Sequence, residues 1–179
     1  CGVDKMLVDS YQVTPEYLKK LEEYTEVFYL DDLDAFEYPV SNVICYANYY
    51  SKLSYTDYKR DVNFYLGTSY MPIRKVFQNC KPKKIKENIE TIMVLSGGSD
   101  SYHMLEHIAE LFKENKEVQL DIICGAFYPD FEGLKRNFAD CPHLHFYQNV
   151  GNLDEFMEKA DLAVSAGGTT LYELCAKGT

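Results

Sequence analysis

At 179 residues, 46% of them hydrophobic and 26% charged, the chain is long enough for one or two domains with real cores and has an ordinary globular composition. Its formal net charge of -10 argues against a nucleic-acid backbone as partner, because phosphate contacts need clustered Lys and Arg. No stretch approaches the ~20 apolar residues that a membrane-spanning helix requires, and the opening residues do not read as a signal peptide.

The first elements in chain order are a strand over 5–9 (KMLVD), a helix over 15–24 with Leu18 and Leu21 on its apolar side, and a strand over 26–30 that runs into Asp31-Asp32. Two more strands are expected over 42–46 and 63–66, with a tyrosine-rich loop over 49–60 between them and a helix over 71–77 after them. Residues 78–88 (QNCKPKKIKEN) have no apolar period and hold a proline and the one basic cluster, Lys81 to Lys86, so they read as a solvated linker. The expected domains are therefore 1–77 and 89–179, joined by 78–88.

Beyond the linker the pattern is regular. A strand over 90–96 leads through Gly97-Gly98-Ser99-Asp100 into a helix with Met104, Leu105, Ile108 and Leu111 on one stripe. A strand over 118–124 ends at Gly125, and Pro129 opens a helix carrying Phe131, Leu134 and Phe138. A strand over 144–147 and a short helix over 152–159 follow. The last pair is an apolar run at Leu162, Ala163 and Val164, then Ala166-Gly167-Gly168-Thr169-Thr170, then a helix through Leu171, Leu174 and Cys175. Four strand–helix alternations with short connections predict an α/β fold with parallel sheet.

Six cysteines without any C-x-x-C pair, several inside apolar runs, fit buried thiols in a reducing cytoplasm. The chain starts at Cys1 and stops at Gly178-Thr179 just past a helix, as expected of an excerpt from a longer protein. His103 and His107 stand four apart but lack a third ligand, and His143 and His145 share one strand face; both pairs read as surface histidines, and no metal is expected.

The two glycine pairs are the chemistry-bearing features. Strand-to-helix turns of a parallel sheet lie where ligands bind, glycine lets backbone approach a ligand, and free amides at a helix N-terminus suit phosphate. Ser99, Thr169 and Thr170 either add hydroxyl donors or cap the helices. Glu173, three residues after Thr170, either closes a capping box or accepts the hydroxyls of a ribose. Asp9, Asp31 and Asp32 end two strands, where they orient a substrate or cap the following turn, with capping favoured.

Taken in order, VDSY at 8–11, YLDDL at 29–33, YLGTSYMPIRKVF at 65–77, VLSGGSD at 94–100 and ADLAVSAGGTTLYELCAKG at 160–178 resemble the UDP-sugar hydrolases of pseudaminic acid biosynthesis and their spore-coat relatives of the SpsG type. The resemblance spans nearly the whole chain. It implies a GT-B-like fold of two Rossmann-like domains with a cleft between them. It also implies hydrolysis of a nucleotide-activated, diacetamido-trideoxy type sugar with release of UDP, and no cofactor. The alternatives on the same fold are a glycosyltransferase and a non-catalytic nucleotide-sugar-binding protein. Gly97, Gly98, Ser99, Gly167, Gly168, Thr169 and Thr170 would then hold the diphosphate, Arg74 would neutralise it, and Glu173 would hold the ribose. Asp9, Tyr11, Asp31, Asp32 and Asn48 become substrate-orienting candidates. The family's catalytic histidine belongs upstream of VDSY, and Tyr46-Ala47-Asn48 stands where the family usually has Asn-x-Asn.

Overall fold

The computed structural model describes residues 2–81 and 83–179, with Thr56 given by its backbone alone. Cys1 and the linker's Pro82 lie outside the described residues. The chain divides into two compact units, Cys1–Pro72 and Ile73–Thr179. The division falls ahead of the 78–88 stretch, so residues 73–77 pack with the second unit.

The first unit is a four-stranded parallel sheet, β1 (Lys5–Val8), β2 (Glu26–Leu30), β3 (Asn42–Cys45) and β4 (Asn63–Leu66), in the order β1-β2-β3-β4. Only the first crossover is an α-helix. This helix, α1 (Pro15–Glu22), starts where Thr14 accepts from the Tyr17 amide and Pro15 presets the first turn, and it buries Leu18 against the sheet. The other crossovers are loops that bury tyrosines in place of a helix face: Tyr38 and Tyr55 are 1% and 2% exposed. Asp31 holds both loops. Its carboxylate accepts from the Leu33 and Asp34 amides at 3.2 and 2.9 Å, from the Tyr38 hydroxyl at 2.6 Å, and from the Tyr55 hydroxyl.

The helix expected over 71–77 does not form. Two single 3-10 turns, Thr68–Tyr70 and Lys75–Phe77, flank an extended stretch. Pro72 bars the helix from Met71, since a proline disfavours helical backbone in the residue before it, and Met71 takes φ -62° and ψ 124°.

The second unit is a three-layer α/β sandwich. Its strands β5 (Thr91–Leu95), β6 (Gln119–Cys124), β7 (Leu144–Gln148) and β8 (Leu162–Ser165) are all parallel in the order β7-β6-β5-β8. On one face, helices α2 (Met104–Phe112) and α3 (Phe131–Asn137) bury Leu105, Ala109 and Leu134 against Val94 and Ile122. On the other, α4 (Leu153–Lys159), α5 (Thr170–Lys177) and Phe77 bury Met157 and Leu174 against Met93, Leu95 and Ile123. The central strand β5 is apolar on both faces because both are covered, whereas β6 is apolar on the face of Leu120, Ile122 and Cys124 and carries Asp121 beside Ile123 on the other. In α2 the stripe differs at one position: Leu111 is 78% exposed, and Ala109 takes the inward place. His143 also departs from expectation: it is buried, and its Nε2 lies 2.9 Å from the Phe112 carbonyl oxygen.

Candidate functional site

Chain direction places the site. From β5 the chain winds outward through β6 and β7, then crosses back to lay β8 on the other side of β5. Strand order reverses between β5 and β8, and in open parallel sheets ligands bind beyond the carboxyl ends of strands at such a switch point. The two glycine turns leave these two strands. Leu95 pairs with Ser165 in register, and the Ala166 amide donates to the Leu95 carbonyl at 3.2 Å, so both turns share one edge of the sheet.

The turn after β5 is braced from beneath. Asp100, buried and at φ 50°, accepts from the Met104 and Leu105 amides at 3.0 Å each and caps α2, one of the two roles open to Ser99 in sequence. Gly97 has φ 85°, which favours glycine. Gly125, at the end of β6, is packed so closely that a Cβ would lie 2.2 Å from the Gly97 carbonyl oxygen and 2.3 Å from that of Gly98. The Phe127 amide adds a bond to the Gly98 carbonyl at 3.1 Å. These carbonyls are held inward, and among the described residues none accepts from the amides of Gly97, Gly98 or Ser99.

The turn after β8 is differently made. Thr169 begins α5 with helical backbone and no side-chain cap, and among the described residues none accepts from the amides of Gly167, Thr169 or Thr170. Gly167 and Gly168 take no positive φ, and a Cβ on either would meet nothing within 4 Å. The fold makes no demand for glycine at these two positions.

Glu173 does not close a capping box. It is 7% exposed, and the Arg74 side chain donates to both of its oxygens, Nε to Oε1 at 2.6 Å and Nη2 to Oε2 at 2.8 Å. The hydrogen bond to Glu173 raises the Arg74 pKa further above its ordinary value. Arg74 also lies over the Phe77 ring, 4.9 Å from guanidinium carbon to centroid.

In the first unit the substrate-orienting candidates separate. Asp31 is turned into the core and committed to the loop bonds above. The Tyr11 hydroxyl donates to Asp32 Oδ2 at 3.1 Å, and that bond, with burial and the carboxylate charge, pushes the phenol pKa up to about 12. Asp32 Oδ1 is buried without a partner among the described residues. Asp9 and Asn48 are exposed at the same edge, and among the described residues their side chains form no hydrogen bond. Asp100 and Gly125 were not singled out from sequence; the aspartate directly before a helix and the glycine ending a strand were the available signals.

Two parallel α/β sheets with this order make a GT-B type of fold. The chain superposes on the crystal structure of the pneumococcal O-GlcNAc transferase GtfA, in complex with UDP and GlcNAc, with a TM-score of 0.59 at 9% identity, over 97% of this chain and 40% of that one. In sequence it is 22% identical over 98% of its length to the spore coat polysaccharide biosynthesis protein SpsG of Bacillus subtilis, covering 54% of that protein. It is 29% identical over 99% of its length to the Helicobacter pylori pseudaminic acid cytidylyltransferase and UDP-2,4-diacetamido-2,4,6-trideoxy-beta-L-altropyranose hydrolase, covering 33% of that protein. The resemblance read from the five motifs is thereby borne out, and the chain spans about a third to a half of the length of these relatives. No protein-family model matches it.

Proposed function

We infer that the protein binds a UDP-sugar at the carboxyl edge of β5 and β8 and releases UDP from it by hydrolysis; the H. pylori relative's name describes that protein as a hydrolase of a UDP-sugar. The observation that carries the reading is a pair of turns in which the amides of Gly97, Gly98 and Ser99, and of Gly167, Thr169 and Thr170, have no acceptor among the described residues, while the Gly168 amide donates to the Ala166 carbonyl at 2.8 Å. One of these turns also contains two glycines that the fold does not need. Backbone amides and the positive end of α5 suit a diphosphate, and side-chain-free backbone lets it come close.

Gly97, Gly98, Ser99, Gly167, Thr169 and Thr170 hold the diphosphate in this reading, and Glu173 accepts the ribose hydroxyls. Water forms the new bond at the anomeric carbon and gives a proton to solvent, while the bond to the β-phosphate oxygen breaks and UDP leaves with its electron pair. Tyr11 and Asp32, bonded to each other at 3.1 Å beyond the carboxyl edge of the first sheet, are the substrate-orienting candidates that form a linked pair.

Calorimetric titration with UDP, followed by incubation with UDP-sugars in the absence of any acceptor, tests the assignment. UDP binding with acceptor-independent UDP release supports the hydrolase. Release only when an acceptor is added assigns a transferase on the same fold. Absence of UDP binding overturns the nucleotide-sugar reading.

A further inference from the structure

Resting on that reading, the geometry at Glu173 assigns Arg74 a role different from a phosphate contact. We propose that Arg74 is a positioning residue for the nucleoside. Its fork fixes the plane of the Glu173 carboxylate, and the lone pair left on each oxygen accepts one hydroxyl of a vicinal diol.

A carboxylate offers about four lone-pair sites, and a bidentate arginine takes one on each oxygen. Here the fork is side-on, through Nε and Nη2, and both bonds are short at 2.6 and 2.8 Å. One site per oxygen remains, which matches the two donors of a cis-diol. Glu173 needs such a partner because its side chain is only 9% exposed, and a carboxylate that far from water is costly unless paired.

Arg74 is itself held on a second side. Its guanidinium lies over Phe77, whose ring is 2% exposed and fixed in the core with Met157 and Leu174. A side chain free to follow a phosphate would not be committed in both directions. The pair is also neutral as a unit, so it brings little net attraction for a diphosphate. The amides of the two turns supply that attraction.

The test compares UDP, uridine and 2′,3′-dideoxy-UDP on the wild type, Arg74→Lys, Arg74→Gln and Glu173→Gln. Lysine keeps the charge, and with it most of any phosphate contact, but cannot form the fork. The proposal expects Arg74→Lys to bind UDP and uridine about tenfold more weakly and dideoxy-UDP as the wild type does. Adding Glu173→Gln to Arg74→Lys should cost little beyond Glu173→Gln alone, since both act through one contact.

Arg74→Gln leaves a buried carboxylate unpaired and is expected to lower the melting temperature. If it does not fold, the lysine variant carries the test. Equal losses for UDP and dideoxy-UDP with uridine unaffected would identify Arg74 as a phosphate ligand and overturn the proposal. Wild-type affinities throughout for Arg74→Lys would also overturn it. A wild type that binds neither UDP nor uridine is a separate result, which removes the nucleotide reading itself.

Discussion

Gly167→Ala separates a glycine kept for the fold from one kept for a ligand. A methyl group there meets nothing within 4 Å, and Gly167 is not among the residues with positive φ. Alanine therefore costs the folded state nothing and removes conformational freedom from the unfolded chain, a gain of about 0.4–1 kcal/mol. For a protein of this size that raises Tm by roughly 1–4 °C. If the Gly167 amide donates to a phosphate oxygen, the methyl beside it displaces the anion and weakens a charge-assisted bond worth about 1.5–3 kcal/mol. UDP affinity should then fall roughly ten- to a hundredfold. Thermal melting and calorimetric UDP titration on the same two preparations give both numbers. Unchanged UDP affinity would place Gly167 outside the site, and a melting temperature lowered by several degrees would refute the open space around it.

Gly125→Ala should behave oppositely, since its methyl would press on the backbone oxygens of Gly97 and Gly98 at 2.2 and 2.3 Å. A loss of about 1–3 kcal/mol in denaturant unfolding is expected, with UDP affinity falling as the turn shifts. Asp100→Ala removes the acceptor of two helix-capping amides and should cost about 1–2 kcal/mol in the same assay, with Asp100→Asn losing less. Asp161 ties the start of β8 to the start of β5, accepting from the Glu90 and Thr91 amides at 2.9 Å each. Burial pushes its carboxyl up, but those amides and Lys86 outweigh burial and hold it below the usual range. A depressed carboxyl contributes stability above its unfolded pKa and loses it as pH falls through the folded one. Asp161→Asn should therefore melt below the wild type at neutral pH and converge with it under acid, where a constant difference would refute the account.

The strands were legible because each holds a short stretch of apolar residues, and that of β5 is unbroken from Ile92 to Leu95, where helices cover both faces. Legibility failed where one residue overruled its neighbours. The apolar residues of 71–77 read as a helix, but Pro72 holds Met71 in extended backbone. The two readings of Glu173 could not be separated from local pattern either, because its partner lies 99 residues away. The aspartate pair at 31–32 shows the same limit. Adjacent identical residues take opposite roles, one locked by Tyr38 and Tyr55 and the other paired with Tyr11.

Electrostatics joins these observations. A chain of formal charge -10 that takes up an anionic ligand needs local positive potential. The obvious source in sequence was Arg74, yet its charge is matched by Glu173 at 2.6 Å. What remains at the β5–β8 edge is backbone: amides of two turns and the first turn of α5, whose carbonyl partners are held inward by Gly125 and the Phe127 amide on one side only. Such donors carry partial charge in fixed directions and need no counter-ion of their own. They can therefore sit in an acidic protein without attracting a neighbouring carboxylate into the site, as a free arginine would. On the proposed reading, Arg74 belongs with Glu173 and a bound phosphate with the two glycine turns.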